Sequence, residues 1–443
     1  MNIQLSDHFT YGRLLKFTFP SIVMMVFTSI YGVVDGIFVS NFAGKTPFAA
    51  VNLIMPYLML TSVLGFMVGT GGTALISMNL GMGDNKKANE IFSLLTWVCI
   101  IGGITLTILS LIFLRPVARL LGASGQMLED CVTYGSIVQL ALTAYILQYA
   151  FQSFCVAAEK PNLSLTMMIV AGVTNIALDA LFVAVFRWGL VGAAVATTIA
   201  QITGAVIPVI YFLRPNNSLL RLGKGRFDGQ VLLRTFTNGA SELMSNISMS
   251  LVSMLYNLQL MAWAGEDGIA AYGVMMYVNF VFMSVYIGFV IGVAPIVGFN
   301  HGADNRPELK NVFRKSLVLL GVFSLLMTLL AELLSAPLST VFVGYDPKLY
   351  DITLRGFRLY SLSFLLCGFN LFGSSFFTAL NNGLISATIS FFRTLICQIS
   401  AVMLLPLVLQ LDGIWLSIVA AELGALMLTV ICFVKYRKRY HYA

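Results

Sequence analysis

Acidic residues set inside long apolar runs are the part of this sequence that could do chemistry. The run from Pro20 to Asn41, PSIVMMVFTSIYGVVDGIFVSN, is long enough to cross a membrane and contains one carboxylate, Asp35. A charged carboxylate in hydrocarbon costs about 3 kcal/mol on insertion scales, so it is normally kept where it faces a protein interior or a wet cavity. Asp35 is therefore a candidate site. The alternative is a carboxylate that lies at the lipid interface.

Three pairs of polar residues in the first half stand four residues apart, so each pair shares one face of a helix. These pairs are Tyr31 and Asp35, Asn175 and Asp179, and Thr197 and Gln201. Counted from the polar ends of the runs, Asp35, Asp179 and Thr197 lie about 9 to 14 Å deep at 1.5 Å per residue. Their shared depth predicts a cation-coupling pocket for H⁺ or Na⁺, made by Asp35, Asp179, Asn175, Thr197 and Tyr31. Alternatively, these groups tie helices together through hydrogen bonds.

The second half does not copy this pocket. In the internal repeat that aligns Ala43 with Ala264, Tyr256 takes the position of Asp35, and Ser400 takes that of Asp179. Arg393 with a glutamate is either a fixed buried ion pair or a substrate contact. The possible substrate or C-lobe polar site comprises Glu242, Arg393, Glu422, Gln201, Tyr256 and Asn257. Pro20, which precedes Asp35, predicts a bend in the first helix.

The composition places these residues in a membrane. The chain has 443 residues, of which 58% are hydrophobic and 10% charged, and its mean hydropathy is +0.88. That is more apolar surface than a soluble core could hide. Twelve apolar runs of about 20 residues or more, from Leu14 to Val434, predict an all-α polytopic membrane protein with twelve transmembrane helices.

The basic residues predict the orientation. An even number of spans puts both termini on one side, where 18 of the 26 lysines and arginines lie; seven lie on the other side and Arg393 lies within a span. This asymmetry predicts that both termini are cytoplasmic in a plasma or inner membrane. The net charge of +7 therefore reports orientation, and we expect no nucleic-acid partner. The first run is too long for a signal peptide and is expected to stay.

An internal repeat divides the chain. AGKTPFAAVNLIM (43–55) aligns with AGEDGIAAYGVMM (264–276), and at the same offset Asn79 and Gly81 align with Asn300 and Gly302. After a one-residue gap, the dipeptide at 84–85 aligns with that at 304–305. The polar segment 214–230 separates the halves, so we expect an N-lobe (1–213), a cytoplasmic linker (214–230) and a C-lobe (231–443). Each half has six predicted helices, as in transporters built from parallel repeats.

Several classes of protein are not indicated. No ATP-binding signature is present, because GTGG (69–72) lies inside an apolar run and lacks the following Lys-Ser/Thr. The three histidines and six cysteines form no motif typical of a metal site. An enzyme would need a nucleophile with a base, or a metal cluster, and the sequence shows a pattern for neither. We expect no cofactor beyond the coupling ion. The 21 methionines and 33 phenylalanines suit hydrophobic ligands of variable shape.

Four motifs resemble one known family. SIYGVVDGIFVSNFAG (29–44), TNIALDALFV (174–183), GMGDNKKANEIF (81–92) and NHGADNRPELKNVF (300–313) resemble the multidrug and toxic compound extrusion (MATE) family of cation-coupled exporters. The likeness is to prokaryotic members, the branch of DinF-like proteins and Gram-positive multidrug pumps. It implies two six-helix lobes in a V. It also implies a cation site at Asp35, Asn175, Asp179 and Thr197, with Tyr31 beside them and Pro20 as the bend.

The expected function is secondary active antiport. An amphiphilic, often cationic, organic compound leaves the cell while H⁺ or Na⁺ enters and binds the N-lobe aspartates. We expect a monomer whose partners are this substrate and the lipid bilayer. The alternative is a lipid-linked oligosaccharide flippase of similar architecture, which would need a strongly cationic cavity for pyrophosphate. Arg393 is the one basic residue deep in a predicted helix.

Overall fold

The fold is a bundle of membrane-length helices. The structure, a computed structural model, describes residues 3–39, 42 and 45–443, and this part contains no strand. The first lobe comprises α1 Tyr11–Phe38, α2 Lys45–Gly81, α3 Asn85–Leu120, α4 Gly125–Leu140, α5 Leu142–Ala157, α6 Pro161–Asp179 with a π-helical extension Ala180–Val185, and α7 Gly189–Leu213. The second comprises α8 Gly229–Gly302, α9 Arg306–Val343, α10 Pro347–Ser361, α11 Phe364–Ala379, α12 Gly383–Phe391 with a π-helical extension Phe392–Gln398, α13 Ile399–Leu404 and α14 Pro406–Tyr440.

The helices amount to twelve membrane spans in the described residues. Nine helices are long and apolar enough to cross a membrane, and the bent pairs α4–α5 and α10–α11 raise the number to eleven. The 74-residue α8 is too long for one crossing, and its helical dihedrals break at Gly265, where φ is +64°. Glycine tolerates such a positive φ without strain. Dividing α8 there gives twelve spans, as the sequence predicts.

Two spans are broken, which the sequence analysis did not predict. α4 and α5 meet at 57°, and α10 and α11 meet at 47°. The predicted fourth run begins at Val132, whereas α4 already begins at Gly125. The breaks lie in corresponding spans of the two lobes, so they belong to the repeated unit.

Local geometry supports the repeat and corrects one detail of its alignment. The helix caps Asp84 and Asn305 stand at the same offset as Gly81 and Gly302, and the residues before them, Gly83 and Asp304, both have positive φ. No gap is therefore needed at this point, and the predicted one-residue gap is wrong. The offset grows by one later in the chain, where Glu159 corresponds to Asn381 through the same left-handed backbone.

The lobes approach most closely where α2 crosses the end of α8. A Cβ added to Gly81 would lie 2.0 Å from the Phe299 carbonyl oxygen, and one added to Gly302 would lie 2.0 Å from the Met78 carbonyl oxygen. Gly81 and Gly302 are equivalent in the repeat, as are Met78 and Phe299. The two lobes therefore share a reciprocal glycine crossing at this end of the contact. A second close approach joins α2 to the start of α8, where a Cβ added to Gly71 would lie 2.1 Å from the Thr235 carbonyl oxygen.

The segment before α1 ties the two lobes together on the side where both termini lie, here called the termini side. The Leu5 N–H donates to Glu159 Oε1 (2.6 Å) in the first lobe. The Phe9 N–H donates to Glu308 Oε1 (2.9 Å) in the second lobe, and both Leu5 and Phe9 are fully buried. The segment therefore stabilises the arrangement in which the termini-side ends of the lobes are in contact.

The connection between the lobes follows α3. It runs over residues 214–228, because α7 ends at Leu213 and α8 begins at Gly229. The Arg221 N–H donates to Asn89 Oδ1, and the Gly223 N–H donates to Ser93 Oγ. These bonds hold the linker against the first lobe; the limits predicted for the two domains and the linker stay predictions.

Candidate functional site

Small residues bring the helices of the candidate site together. A Cβ on Gly172 of α6 would lie 2.4 Å from the Phe27 ring and 3.0 Å from the Tyr31 ring, both on α1. A Cβ on Gly192 of α7 would lie 3.1 Å from the backbone of Phe182, in the π-helical extension of α6. Without side chains at these two glycines, α1 and α7 pack closely on either side of α6.

The structure brings the predicted carboxylates together. Asp179 is fully buried and Asn175 is 2% exposed, both on one face of α6. The Asp35 carboxylate, on α1, faces Asp179 and Asn175. The Asn175 amide donates to the Thr197 hydroxyl of α7 at 3.5 Å. Three spans therefore contribute to one polar pocket inside the first lobe.

The pocket is rich in acceptor oxygens that have no donor. In the part of the chain that the structure describes, no hydrogen-bond partner reaches Asp35 Oδ1, Asn175 Oδ1 or either carboxylate oxygen of Asp179, all of them buried. Buried polar atoms without partners are costly, and two ionised carboxylates in such a place would also repel each other. One added positive charge between them, a proton or a small cation, would relieve both costs.

Tyr31 and Tyr134 complete the surroundings of the carboxylates. The Tyr31 hydroxyl lies within electrostatic range of the Asp35 carboxylate. Tyr134 of α4 is 2% exposed and faces Thr197 and both aspartates. Tyr134 is not among the residues predicted from the sequence, because the predicted span begins at Val132 and places this tyrosine at the membrane edge. In the structure Tyr134 lies nine residues into α4, or about 14 Å.

Two further predicted residues belong to the same lobe. Gln201 is buried on α7 one turn beyond Thr197, and its Oε1 also has no partner among the described residues. Gln201 therefore belongs with the N-lobe pocket by position. Pro20 is buried in α1, which continues through it as one helix from Tyr11 to Phe38. The bend at Pro20 stays a prediction.

The C-lobe residues Arg393 and Glu422 form a closed ion pair. Arg393 Nε and Nη2 donate to Glu422 Oε1 at 2.8 and 2.6 Å. The Asn370 amide donates to Glu422 Oε2 at 2.7 Å, and the Thr429 hydroxyl donates to Asn370 Oδ1 at 3.0 Å. Because both charges and their hydrogen bonds are satisfied within the lobe, the arrangement fits a fixed structural pair.

The other predicted C-lobe residues do not join this network into one site. The Tyr256 hydroxyl hydrogen-bonds Ser417 Oγ at 2.6 Å, and its ring stacks on Tyr272 with centroids 5.0 Å apart. Asn257 is half-buried beside it in the chain. Glu242 lies near the beginning of α8, three residues after Gly239, whose added Cβ would lie 2.2 Å from the Met67 carbonyl oxygen of α2. No ion pair joins Glu242 to Arg393 in the residues described.

The larger offset in the later part of each lobe changes one predicted equivalence. The caps Lys160 and Asn382 begin α6 and α12, so Asp179 corresponds to Ala401 instead of Ser400. Neither residue is acidic. The carboxylate pair is thus confined to the first lobe.

Comparisons with known proteins agree with the fold and the lobes. A family model described as MatE matches residues 20–181 and 243–403, one block in each half. The multidrug export protein MepA of Staphylococcus saprophyticus is 24% identical over 362 residues, which cover 80% of each chain. MepA of Staphylococcus aureus (strain N315) is 25% identical over 313 residues, covering 70% of this chain and 69% of MepA.

A solved structure shows the same architecture. The outward-facing conformation of a multidrug resistance MATE family transporter of the MOP superfamily matches with a TM-score of 0.91 at 21% identity. The match covers 99% of this chain and 98% of that one. At this identity, the likeness shows the fold alone.

Proposed function

Because the chain belongs to the MatE family of transporters, we propose that it is a secondary active antiporter of amphiphilic, often cationic, organic compounds. The coupling ion in this proposal is H⁺ or Na⁺, bound by Asp35, Asp179, Asn175 and Thr197 with Tyr31 beside them. The names of the MepA relatives, multidrug export proteins, support drugs and toxins as the substrate class. The chain is a transporter and not an enzyme.

The donor-poor carboxylate pocket carries the proposal. Four buried oxygens of Asp35, Asn175 and Asp179 have no donor among the described residues. One proton or Na⁺ between the two carboxylates would lower their mutual repulsion, and carboxylate, amide and hydroxyl oxygens are suitable ligands for a hard cation. Tyr134 adds a phenol next to the same oxygens. We include Tyr134 as a further member of the pocket.

The helix that carries Asp35 also links the pocket to the other lobe. In the termini-side half of α1, Ile22 contacts Gly288 and Thr18 contacts Gly292, with a Cβ on either glycine lying under 3.0 Å from α1. A cation that prefers one position of α1 therefore shifts the population of lobe arrangements toward that position. By linkage, a substrate that prefers the other arrangement promotes release of the cation.

The proposed topology follows from the basic residues. Both termini and the linker are cytoplasmic, and the protein resides in the plasma or inner membrane as a monomer. With that orientation, the glycine crossing at Gly81 and Gly302 closes the cytoplasmic side. The arrangement then corresponds to an outward-facing state. Apart from the exported substrate, the coupling ion is the one non-protein component of the proposed mechanism, which uses no cofactor.

The flippase alternative has less support. A pyrophosphate headgroup calls for unbalanced cationic side chains in the central cavity. Arg393, the basic residue deep in the spans, is balanced by Glu422 at 2.6 Å. The C-lobe thus offers no spare positive charge from this residue.

Transport by purified protein in proteoliposomes tests the proposal. Uptake of a fluorescent cationic dye is followed under a pH gradient and, separately, under a Na⁺ gradient. We expect one gradient to drive transport in the wild type, and Asp35→Asn or Asp179→Asn to abolish it. Asp351→Asn, at an exposed carboxylate outside the pocket, is the matched control and keeps transport. Full gradient-driven transport by Asp35→Asn contradicts the proposed function.

A further inference from the structure

A cleft of about 870 Å³ lies between the first turns of α3 and the start of α8, on the termini side. One wall is made by Lys87, Glu90, Ile91 and Leu94 of α3, and the other by residues 226–233. None of these residues belongs to the carboxylate pocket of the first lobe. The mechanism of coupled export does not use the cleft, so its chemistry needs an explanation of its own.

The repeat shows why this cleft is open. On α9, the face that corresponds to the α3 wall is covered by the segment before α1. There Glu308 accepts the Phe9 N–H at 2.9 Å, while Asn311 Nδ2 and Lys315 Nζ donate to the Phe9 carbonyl at 2.9 and 2.6 Å. At the offset that relates the two helix caps, the equivalent residues are Lys87 and Glu308, Glu90 and Asn311, and Leu94 and Lys315.

The linker covers the equivalent face of α3 only in part. It packs on Leu94, where a Cβ added to Gly225 would lie 3.0 Å from the Leu94 Cα, and leaves Lys87 exposed and Glu90 half-buried. Its N–H groups at Arg221 and Gly223 bond instead to Asn89 and Ser93. Those two side chains lie on a neighbouring face of α3, since successive residues of a helix are 100° apart. When the two lobes are aligned at the offset of the helix caps, α8 begins at Gly229, about one helical turn earlier than the position that corresponds to Tyr11, where α1 begins. In the described chain, no backbone group of the linker therefore bonds the side chains of Lys87 and Glu90 as Phe9 bonds those of Glu308 and Asn311 in the other lobe.

The charge of the cleft is reversed relative to its counterpart. Lys87 stands where the other lobe has the carboxylate of Glu308, and Arg226 lines the opposite wall. Glu90 and Asp228 also line the cleft, but Asp228 Oδ1 is engaged as the cap of α8 through the N–H groups of residues 230 and 231. The exposed residues Lys86, Lys224 and Arg234 flank the walls in the chain. Because Glu90 and Asp228 balance Lys87 and Arg226 within the lining, the positive excess at the entrance comes from these three flanking residues.

The apolar part of the cleft identifies the kind of anion. Ile91, Leu94 and Val231 line the base of the cleft but are 3%, 6% and 7% exposed. The apolar surface open to a ligand is that of Phe227, at the end of the linker, and Leu233, in the first turns of α8, which are 78% and 69% exposed. A cationic entrance beside an apolar wall at a membrane surface matches a phospholipid with an anionic headgroup, and basic pockets between helices on the cytoplasmic side bind such lipids. We propose that this cleft is a binding site for one anionic phospholipid.

Native mass spectrometry with defined lipids tests this site. The full-length protein in detergent is titrated with phosphatidylglycerol, with phosphatidylcholine of the same acyl chains, and with inorganic phosphate. We expect one phosphatidylglycerol to bind at least about 10-fold more tightly than phosphatidylcholine. Lys87→Gln combined with Arg226→Gln should weaken phosphatidylglycerol by roughly 30-fold, from the attraction that two basic residues contribute at an anionic surface.

Two matched variants separate this site from general surface charge. Arg437→Gln with Lys438→Gln removes the same charge from exposed positions on the termini side and should keep the tight phosphatidylglycerol. Gly229→Trp fills the cleft without changing charge. Its Cβ meets no atom within 4 Å, so the branch point of the new side chain fits without a clash, while lipid binding should fall as in the charge variant. The melting temperature in detergent checks that the variant is folded.

Three results would overturn the lipid site. The first is equal phosphatidylglycerol binding by the cleft variant and the Arg437 and Lys438 control. The second is unchanged binding by Gly229→Trp. The third is inorganic phosphate competing at the concentration at which the lipid binds, which would indicate a free-anion site. The assay does not depend on transport, so it stands or falls separately from the proposed antiport.

Discussion

Adding one methyl group at the glycine crossing should open the termini side of the transporter. In Gly81→Ala the new Cβ would lie 2.0 Å from the Phe299 carbonyl oxygen, more than 1 Å inside the 3.4 Å at which ordinary contact begins. The atom it meets is backbone, which cannot rotate away as a side chain could. Overpacking of this kind typically costs about 1–3 kcal/mol, or about 5- to 150-fold in an equilibrium constant. We expect the equilibrium constant for opening of the lobes at this contact to rise by that factor.

Thiol accessibility measures this opening. Ser77→Cys is the reporter, in a background without the six native cysteines, because Ser77 is fully buried and lies 3.0 Å from the place of a Cβ on Gly298 of the other lobe. Its labelling rate should rise about 5- to 150-fold in Gly81→Ala. Gly302→Ala should have the same effect, because the two glycines are equivalent in the repeat.

The control is an alanine at a glycine of α8 with free space. A Cβ on Gly273 meets nothing within 4 Å, so Gly273→Ala should leave the labelling rate unchanged. If Gly81→Ala labels at the rate of Gly273→Ala and transports normally, the crossing is not the closed contact of the termini side, and the reasoning fails.

Three further predictions concern the network of the C-lobe and the segment before α1. Glu422→Gln leaves the Arg393 guanidinium buried without its counter-charge and should cost about 3–5 kcal/mol in stability, seen as a lower melting temperature in detergent, whereas Arg393→Met with Glu422→Leu should recover most of the loss. Glu308→Ala removes the acceptor of the Phe9 N–H, so limited proteolysis should cut the segment before α1 faster than in Glu308→Gln. Burial raises the pKa of Glu159, although the hydrogen bond from the Leu5 N–H acts to lower it. Between about 4.3, the pKa in the unfolded chain, and the raised pKa, the folded state binds a proton that the unfolded state has lost, so wild-type stability should fall as pH rises through this range. Glu159→Gln should flatten that dependence in melting curves.

The sequence was sufficient for the spans and the carboxylates because both signals are local. Asp35 and Asp179 are conspicuous as lone acids in apolar runs, and their partners at helical spacing follow from geometry. Their convergence in the structure depends on Gly172 and Gly192, whose role is visible only when neighbouring helices are in place. The shared depth thus predicts a pocket, but the close helix packing that forms it depends on two glycines that carry no such signal in the sequence.

What the sequence could not supply came from non-local effects. Tyr134 is not predicted because α4 begins at Gly125, in a polar stretch before the apolar run. The depth of Tyr134 counted from the start of the apolar run is therefore too small. Scanning the polar residues before each apolar run for a full helical turn pattern could have found it. For Arg393, the sequence leaves a fixed ion pair and a substrate contact open, because residues on different helices have no sequence spacing that shows whether they touch. The structure pairs Arg393 with Glu422.

Cation binding by the purified protein is the decisive measurement for the carboxylate pocket. Equilibrium uptake of H⁺ and of Na⁺ is measured per chain for the wild type, for Asp35→Asn, for Asp179→Asn and for the exposed control Asp351→Asn. We predict one saturable monovalent cation per chain in the wild type and the control, and its loss in both pocket variants. Wild-type stoichiometry retained in Asp35→Asn or in Asp179→Asn would show that this carboxylate pair does not hold the coupling ion.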